Sequence, residues 1–465
     1  MKNNFMVYFT LNKKIDAMVL KIKPEFRFLF KDLKSDSLTI PIKEIENTLL
    51  TISKKLEKQG KPFSKVRLKN LNIKNKKLIA ELDLSISKKR HLNKVVIKGY
   101  ENFPKSLLKN HFKIKEGTIF HQQKIKQISN DSESLKFIQV IKPPEILFTK
   151  DSTLLYLYFK KKINNSFDGI INFSSEENGD LLFNGNIDLK LNNTFNKGEK
   201  LELYWNSIGQ DRQEFRLTSE TPYLFNSKFT PKILFNIYKQ DSTFLNTTFN
   251  IKLFYNFNSK SKIALNYDST SSENLTNNTS TNLETFNNYF LGFAYNYTIA
   301  KNDFFLNDKF HFEITHSLGK RQANQSFSNQ YKIETLTTYI WDINNRNSFY
   351  IKNKIGYLNS TNYLTNELFR IGGPKSIRGF NEQSIFTKQY TYFNTEYRLL
   401  TNNDSYIYSI ADFGYINATN YLSFGLGYCF TKNKSVFNIN SVVGSKNATF
   451  NLSNIQLNIN WVTFF

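Results

Sequence analysis

After Lys160-Lys161-Lys162, runs of roughly ten residues alternate apolar with polar side chains, separated by Asn, Asp, Ser, Lys and Gly. Period-two alternation gives a strand two unlike faces, and only a sheet with two different surroundings uses it along its whole length. Such runs begin near residues 168, 180, 199, 213, 229, 242, 260, 286, 309, 329 and 347, and again near 389, 405, 419, 435 and 453. That makes sixteen strands, an even number, with one long loop after the eleventh. The last run is the cleanest: Ile455, Leu457, Ile459, Trp461, Thr463 and Phe465 share one face, and Gln456, Asn458 and Asn460 the other. A lipid face opposite a polar lumen face explains that pattern.

Composition agrees. Hydrophobic residues reach 40% and mean hydropathy is −0.46, with no run near the ~20 apolar residues of a spanning helix. Aromatics reach 15%, with 25 Tyr and 44 Phe, as expected where aromatic girdles line both interfaces. The single Cys429 excludes an internal disulfide and reads as a packed thiol within a strand.

Residues 1–162 have a different texture. Ile42, Ile45, Leu49, Ile52 and Leu56 follow helical spacing, with Gly60 at the stop. A hairpin follows, through Val66 and Leu68, the turn Lys74-Asn75-Lys76-Lys77, and alternating Leu78 to Ile86. The order then repeats more fully. Val95 to Gly99 reads as a strand, Pro104 opens a helix through Leu107, Leu108 and Phe112, and Ile125 and Ile128 mark a second. Phe137 to Ile141 and Leu154 to Phe159 make the closing strands. Alternating Phe26, Phe28 and Phe30 predict a further strand, and Phe5 to Phe9 is apolar but short of a signal-peptide core.

The net charge of +24 is concentrated at this end. Residues 1–162 carry 36 Lys and Arg against 15 Asp and Glu, whereas residues 163–465 carry 27 against 24. No RNP-like, zinc-finger or helix-turn-helix pattern accompanies the charge, so no nucleic-acid partner is expected. A generally Lys- and Asn-rich composition and attraction to membrane headgroups both fit. His91, His111 and His121 lack the spacing of a ligand set and read as solvated; His311 and His316, five apart on a strand, point to opposite faces. The sequence carries no nucleophile elbow, phosphate loop or metal-spaced histidines, so no catalytic residue, metal or cofactor is expected.

The long loop contains Ile371-Gly372-Gly373-Pro374-Lys375-Ser376-Ile377-Arg378-Gly379-Phe380. Gly372 and Gly373 permit left-handed backbone, Pro374 stiffens the chain, and a lone Arg in an apolar run calls for carboxylates that its planar fork can bind. Glu396 and Asp412 follow on the next two strands, the latter in Ala411-Asp412-Phe413-Gly414.

This set resembles the outer-membrane assembly family, the BamA/TamA-type barrels with POTRA domains, and their two-partner secretion relatives. In that family a (Val/Ile)-Arg-Gly-(Phe/Tyr) tip folds into the barrel lumen, and its Arg pairs with acids on the next two strands. Ile377, Arg378, Gly379 and Phe380 match the tip, Glu396 the first acid, and Asp412 with Gly414 the second. The resemblance implies POTRA-like α+β domains over 1–92 and 93–163 and a sixteen-stranded transmembrane barrel over 164–465. It implies a bacterial outer-membrane location with the α+β domains in the periplasm. Leu457, Ile459, Trp461 and Phe465 then resemble the C-terminal β-signal.

The implied function is insertion of outer-membrane proteins, with unfolded β-barrel clients and outer-membrane lipids as partners, together with accessory lipoproteins or periplasmic chaperones. The seam would join residues 168–176 to 453–465, and Gly169, Asn172, Ser174 and Ser175 favour weak closure there. Two alternatives are a two-partner secretion transporter, suited to two POTRA domains, and a plain diffusion porin, which the Arg378 loop counts against.

Overall fold

The computed structural model describes residues 14–30, 35–175, 181–208, 212–276, 282–301, 308–447, 449–450 and 454–465, with 170–175 and 181–184 described by backbone alone. The Phe5–Phe9 run lies outside the described residues.

Near the N-terminus, β1 (Ala17–Lys21), β2 (Ser37–Pro41), β3 (Lys65–Lys74) and β4 (Lys77–Ser85) form a sheet in the order β2-β1-β4-β3. Only β1 and β4 run parallel, and helix α1 (Ile45–Lys58) lies between β2 and β3 in sequence. α1 buries Ile52 and Leu56 in a core with Met18, Leu20, Ala80 and Leu82. Asn75 and Lys76 take positive φ at the β3–β4 turn, which matches strand twist in a two-residue hairpin. The strand expected at Phe26 to Phe30 is instead a 3-10 turn over Pro24–Leu29. Pro24 starts it, and burial falls on Phe26 and Leu29, three apart, while Phe28 is exposed.

Next come β5 (His91–Leu92), β6 (Lys94–Lys98), α2 (Lys105–Asn110), β7 (Thr118–Ile119), α3 (Gln122–Glu133), β8 (Ile138–Phe148) and β9 (Thr153–Lys161), with a sheet β6-β9-β8. Two compact units emerge: residues 1–98, 114–130 and 142–158 form one, and 99–113, 131–141 and 159–465 form the other. Of the three histidines expected to be solvated here, His91 and His121 remain partly exposed, whereas His111 does not. His111 is buried, its ring bonded to the Asp131 carbonyl (3.0 Å), Ser134 Oγ (3.0 Å) and Tyr223 Oη (3.3 Å). His121 Nδ1 accepts the Lys124 N–H at the start of α3 (3.0 Å), and His91 Nδ1 meets the Gly117 carbonyl (2.8 Å).

The remainder is a closed antiparallel barrel of sixteen strands. They are β10 (Ser166–Ser175), β11 (Leu181–Asn192), β12 (Lys200–Ile208), β13 (Arg212–Glu220), β14 (Phe229–Gln240) and β15 (Phe244–Asn256). β16 (Ser261–Asn274), β17 (Phe286–Ala300), β18 (Asp308–Ala323), β19 (Ser326–Asp342) and β20 (Asn347–Asn359) follow. The loop carries a small hairpin, β21 (Phe369–Ile371) and β22 (Ile385–Thr387). β23 (Gln389–Asn402), β24 (Ser405–Ile416), β25 (Thr419–Lys432), β26 (Ser435–Lys446) and β27 (Gln456–Phe464) complete the wall.

Polarity is inverted relative to a soluble protein. On β17, Tyr289, Leu291 and Phe293 are exposed while Phe286, Asn288 and Phe290 are buried inside. Outward aromatics stack across strands at one rim: Phe229–Tyr255 (5.6 Å), Phe310–Tyr339 (6.2 Å), Phe430–Phe437 (5.0 Å) and Phe437–Trp461 (5.4 Å). A wall solvated by hydrocarbon with an interfacial girdle has this form. On β18, His311 faces the lumen beside Thr298 (2.9 Å) and His316 faces outward against Tyr331. Cys429 is buried on β25.

Three ion pairs inside the lumen each reach past two intervening strands. Glu220 on β13 meets Lys262 on β16 (2.8 Å), Lys252 on β15 meets Glu313 on β18 (2.6 Å), and Asp268 on β16 meets Lys332 on β19 (3.0 Å).

Candidate functional site: the lumen loop and the barrel seam

The chain leaves β20 and turns inward, so its polar backbone must find partners inside the barrel. The 3-10 turn Thr365–Glu367 does so first: Glu367 accepts the Leu364 N–H (3.0 Å) and pairs with the buried Arg321 guanidinium of β18. The β21–β22 hairpin then carries the tip, where Gly372 and Gly373 take φ of 113° and 95°.

Arg378 sits at the far end of the tip, 7% exposed. Its Nε donates to Asp412 Oδ2 (2.8 Å), its Nη2 to Asp412 Oδ1 (2.5 Å) and its Nη1 to Glu396 Oε1 (2.6 Å). The Arg378 backbone N–H also donates to Asp412 Oδ2 (3.1 Å). Asp412 stands opposite Asn394 in the β23–β24 register, which sets Glu396 one inward position further along and lets one guanidinium span both acids. Two residues beyond Glu396 on the same face, Arg398 donates from Nε to Glu396 Oε2 (2.8 Å) and stacks on Tyr350 (4.4 Å). Buried Arg378 and partly buried Arg398 thus face the two buried carboxylates Glu396 and Asp412. Sequence reasoning assigned no role to Arg398; its place at i+2 on an inward face was the available signal.

Neighbouring residues fit the tip sterically. Ile377 is fully buried among Tyr390, Tyr392, Ile416 and Tyr421, and Phe380 packs edge-on against Tyr421 (5.2 Å). Gly414 makes room for Ile377: a Cβ there would lie 2.3 Å from Ile377 Cδ1. Gly379, at φ 81°, lies against Gly444 of β26, and a Cβ on it would come within 2.6 Å of the Gly444 nitrogen. The Asn394 amide donates to the Ser376 carbonyl (2.7 Å).

The loop is also tied to the opposite wall. Arg212 on β13 donates to the Glu382 carbonyl (2.5 Å) and carboxylate (3.3 Å), and Gln383 donates to Glu214 (2.9 Å). Arg370 lies over the Tyr238 ring (3.4 Å), and Lys375 over that of Tyr204 (4.3 Å). The loop thus crosses the lumen from wall to wall.

The second feature is the closure of the barrel. Every other pair of neighbouring strands aligns between eight and fifteen residues. β10 and β27 align only two, Ser166 with Phe464 and Phe167 with Thr463. The Phe465 N–H adds one bond to the Asn165 carbonyl (3.0 Å), and Asn460 reaches Asp168 by side chains (3.0 Å). Gln456 to Val462 therefore pair with β26 and have no strand partner on the β10 side among the described residues. Leu457, Ile459, Trp461 and Phe465 are all more than half exposed on the outer face. Gly169 lies within β10, as do Asn172, Ser174 and Ser175, whose side chains fall outside the description.

No protein-family model matches the sequence, and no curated protein matches it either. Solved structures do match in fold. CdiB from Acinetobacter baumannii superposes at a TM-score of 0.60 with 14% identity, over 100% of this chain and 93% of that one. CdiB from Escherichia coli gives 0.57 with 12% identity over the same shares. BamA from Haemophilus ducreyi lacking POTRA domains 1-3 gives 0.50 with 12% identity, over 97% of this chain and 99% of that one. The barrel fold is shared with all three.

Proposed function

We propose that this chain is an outer-membrane protein of the BamA-like class that inserts β-barrel clients at the β10–β27 seam. The observation that carries this reading is the two-residue closure, beside neighbours with eight or more aligned residues. Backbone groups facing hydrocarbon must be paired, and an unpaired strand edge is a template for another strand. The free edge of Gln456–Val462 offers a client strand main-chain hydrogen bonds that are indifferent to client side chains. The α+β domains, read as POTRA domains, face the periplasm and receive unfolded clients, with lipoproteins or chaperones assisting. Arg378 serves as a structural latch that holds the loop across the lumen, so the seam and not the lumen is the working opening.

A disulfide across the seam tests this. Phe167→Cys and Thr463→Cys occupy paired positions, in a Cys429→Ser background that removes the only native thiol. Oxidation in proteoliposomes should abolish client insertion, and reduction should restore it. Full insertion by the oxidised form sinks the seam mechanism.

A two-partner secretion reading has its own support. CdiB, a transporter of that type, superposes with the higher TM-scores, and two α+β segments precede the barrel. In that case the oxidised variant still exports its dedicated exoprotein, because export uses the lumen.

A further inference from the structure

Beyond client insertion, the barrel rim that residues 99–113 pack against carries a surface that this mechanism does not use. Phe225, in the β13–β14 turn, is 93% exposed, and Phe195, in the neighbouring β11–β12 turn, is 69% exposed. Neither is a loose tip. Tyr223, Phe225 and Asn226 all take left-handed backbone (φ 55°, 51° and 57°), which side-chain-bearing residues rarely adopt unless held. The holding groups are visible: Tyr223 is buried against His111 (3.3 Å), and Asn226 accepts a bond from Asn110 at the end of α2 (3.2 Å). At the other turn the Glu199 carboxylate accepts the backbone N–H groups of Phe195 (2.6 Å) and Lys197 (3.0 Å). Both turns are fixed with an aromatic ring in solvent.

Charge around these rings is one-sided. Lys105, Lys109 and Lys113 are exposed on and just beyond α2, as are Lys197 and Lys228 on the turns. The exposed carboxylate among residues 99–113, 193–199 and 222–228 is Glu101 alone. The patch is continuous with the lipid-facing wall: Phe229 follows Phe225 by four residues, packs on Tyr255 (5.6 Å), and Tyr255 on Phe257 (5.3 Å). Lys228 donates to the Tyr255 hydroxyl (3.3 Å), which places an ammonium at the edge of the aromatic belt.

We propose that Phe195, Phe225 and the flanking lysines form a docking surface for anionic phospholipid headgroups, binding α2 and both turns to the leaflet that surrounds this rim. Aromatic rings insert at the headgroup boundary, while lysines extend along apolar surface to reach phosphate. This rests on the barrel lying in a bilayer, and the test separates the two.

The full chain, with Cys429→Ser and Phe225→Cys, carries an environment-sensitive fluorophore at residue 225. It is reconstituted in nanodiscs of phosphatidylcholine containing phosphatidylglycerol, and quenching by spin-labelled lipid of each headgroup is compared. A second label at Leu291→Cys, on the outer wall of β17, reports whether the barrel is embedded. Quenching at 225 should favour spin-labelled phosphatidylglycerol, and that preference should fall about fivefold per lysine neutralised in Lys105→Gln and Lys109→Gln. No quenching at 225 with normal quenching at 291 overturns the docking surface and leaves the barrel reading intact. Equal quenching by both lipids overturns the headgroup preference. Failure at both positions overturns the membrane reading along with the proposal.

Discussion

Replacing Arg378 with Ala exposes how the loop is held. Asp412 is 2% exposed, and the substitution removes both of its side-chain bonds to the guanidinium, leaving one backbone N–H. Glu396 loses one bond but keeps Arg398. The damage therefore falls on Asp412, a buried carboxylate stripped of its cation. Removing one member of a buried pair costs about 3–5 kcal/mol, because the desolvated partner remains. Removing both charges in Arg378→Ala/Asp412→Ala should cost less than the two single changes summed, by about 1–3 kcal/mol of coupling. Arg378→Lys should recover little, since a point charge cannot span Asp412 and Glu396 together. The assay is the urea midpoint of the folded barrel, read from its shifted gel mobility, with protease cleavage within residues 372–384 to report loop docking. A wild-type midpoint with a protease-resistant loop in Arg378→Ala would refute the reasoning; strictly additive single changes would refute the coupling.

Other expectations follow from the same geometry. Gly414→Ala places a methyl 2.3 Å from Ile377 Cδ1 and should cost about 1–3 kcal/mol by overpacking; Ile377→Ala beside it should relieve part of that loss in the same urea assay. Burial is the main influence on His111 and lowers its pKa below the ordinary 6.5, against the raising effect of the Asp131 carbonyl and carboxylate. The unfolded segment then binds a proton that the folded one refuses, so docking of residues 99–113 is fully stable above about pH 6.5 and weakens as pH falls below it. Hydrogen exchange of that segment should quicken on acidification, and His111→Gln should flatten the dependence. Deleting Phe465 removes the N–H bond to Asn165. Cross-linking between residues 167 and 463 should become slower, whereas an unchanged rate would mean the terminal residue does not hold the seam.

The barrel was legible because its signal is local. Each strand displays a period of two, and Asn-rich turns bracket it, so predicted strand starts fall within a few residues of those observed. Arg378, Glu396 and Asp412 were legible for a different reason: a buried cation needs acids, and few inward positions lie within reach. The ties from the loop to the far wall could not be read in that way. Arg212 and Glu382 are 170 residues apart, and nothing periodic links them. Phe26 to Phe30 misled because three alternating aromatics look like a strand, whereas Pro24 and the three-residue burial spacing impose a turn. Gly169, Asn172, Ser174 and Ser175 pointed to a weak closure, but how few residues align there is set by both partners at once and could not be read from either strand.

The lumen pairs Glu220–Lys262, Lys252–Glu313 and Asp268–Lys332 have a mechanical consequence. Each is a cross-brace over three inter-strand joints, and together they span β13 to β19, the arc facing away from the seam. A ring stiffened along one arc cannot share deformation evenly. Bending collects at its most compliant joint, and among these strands that is the one held by two residue pairs. Thermal motion of the wall should therefore appear as excursions of β10 and β27, with the braced arc moving as a rigid frame.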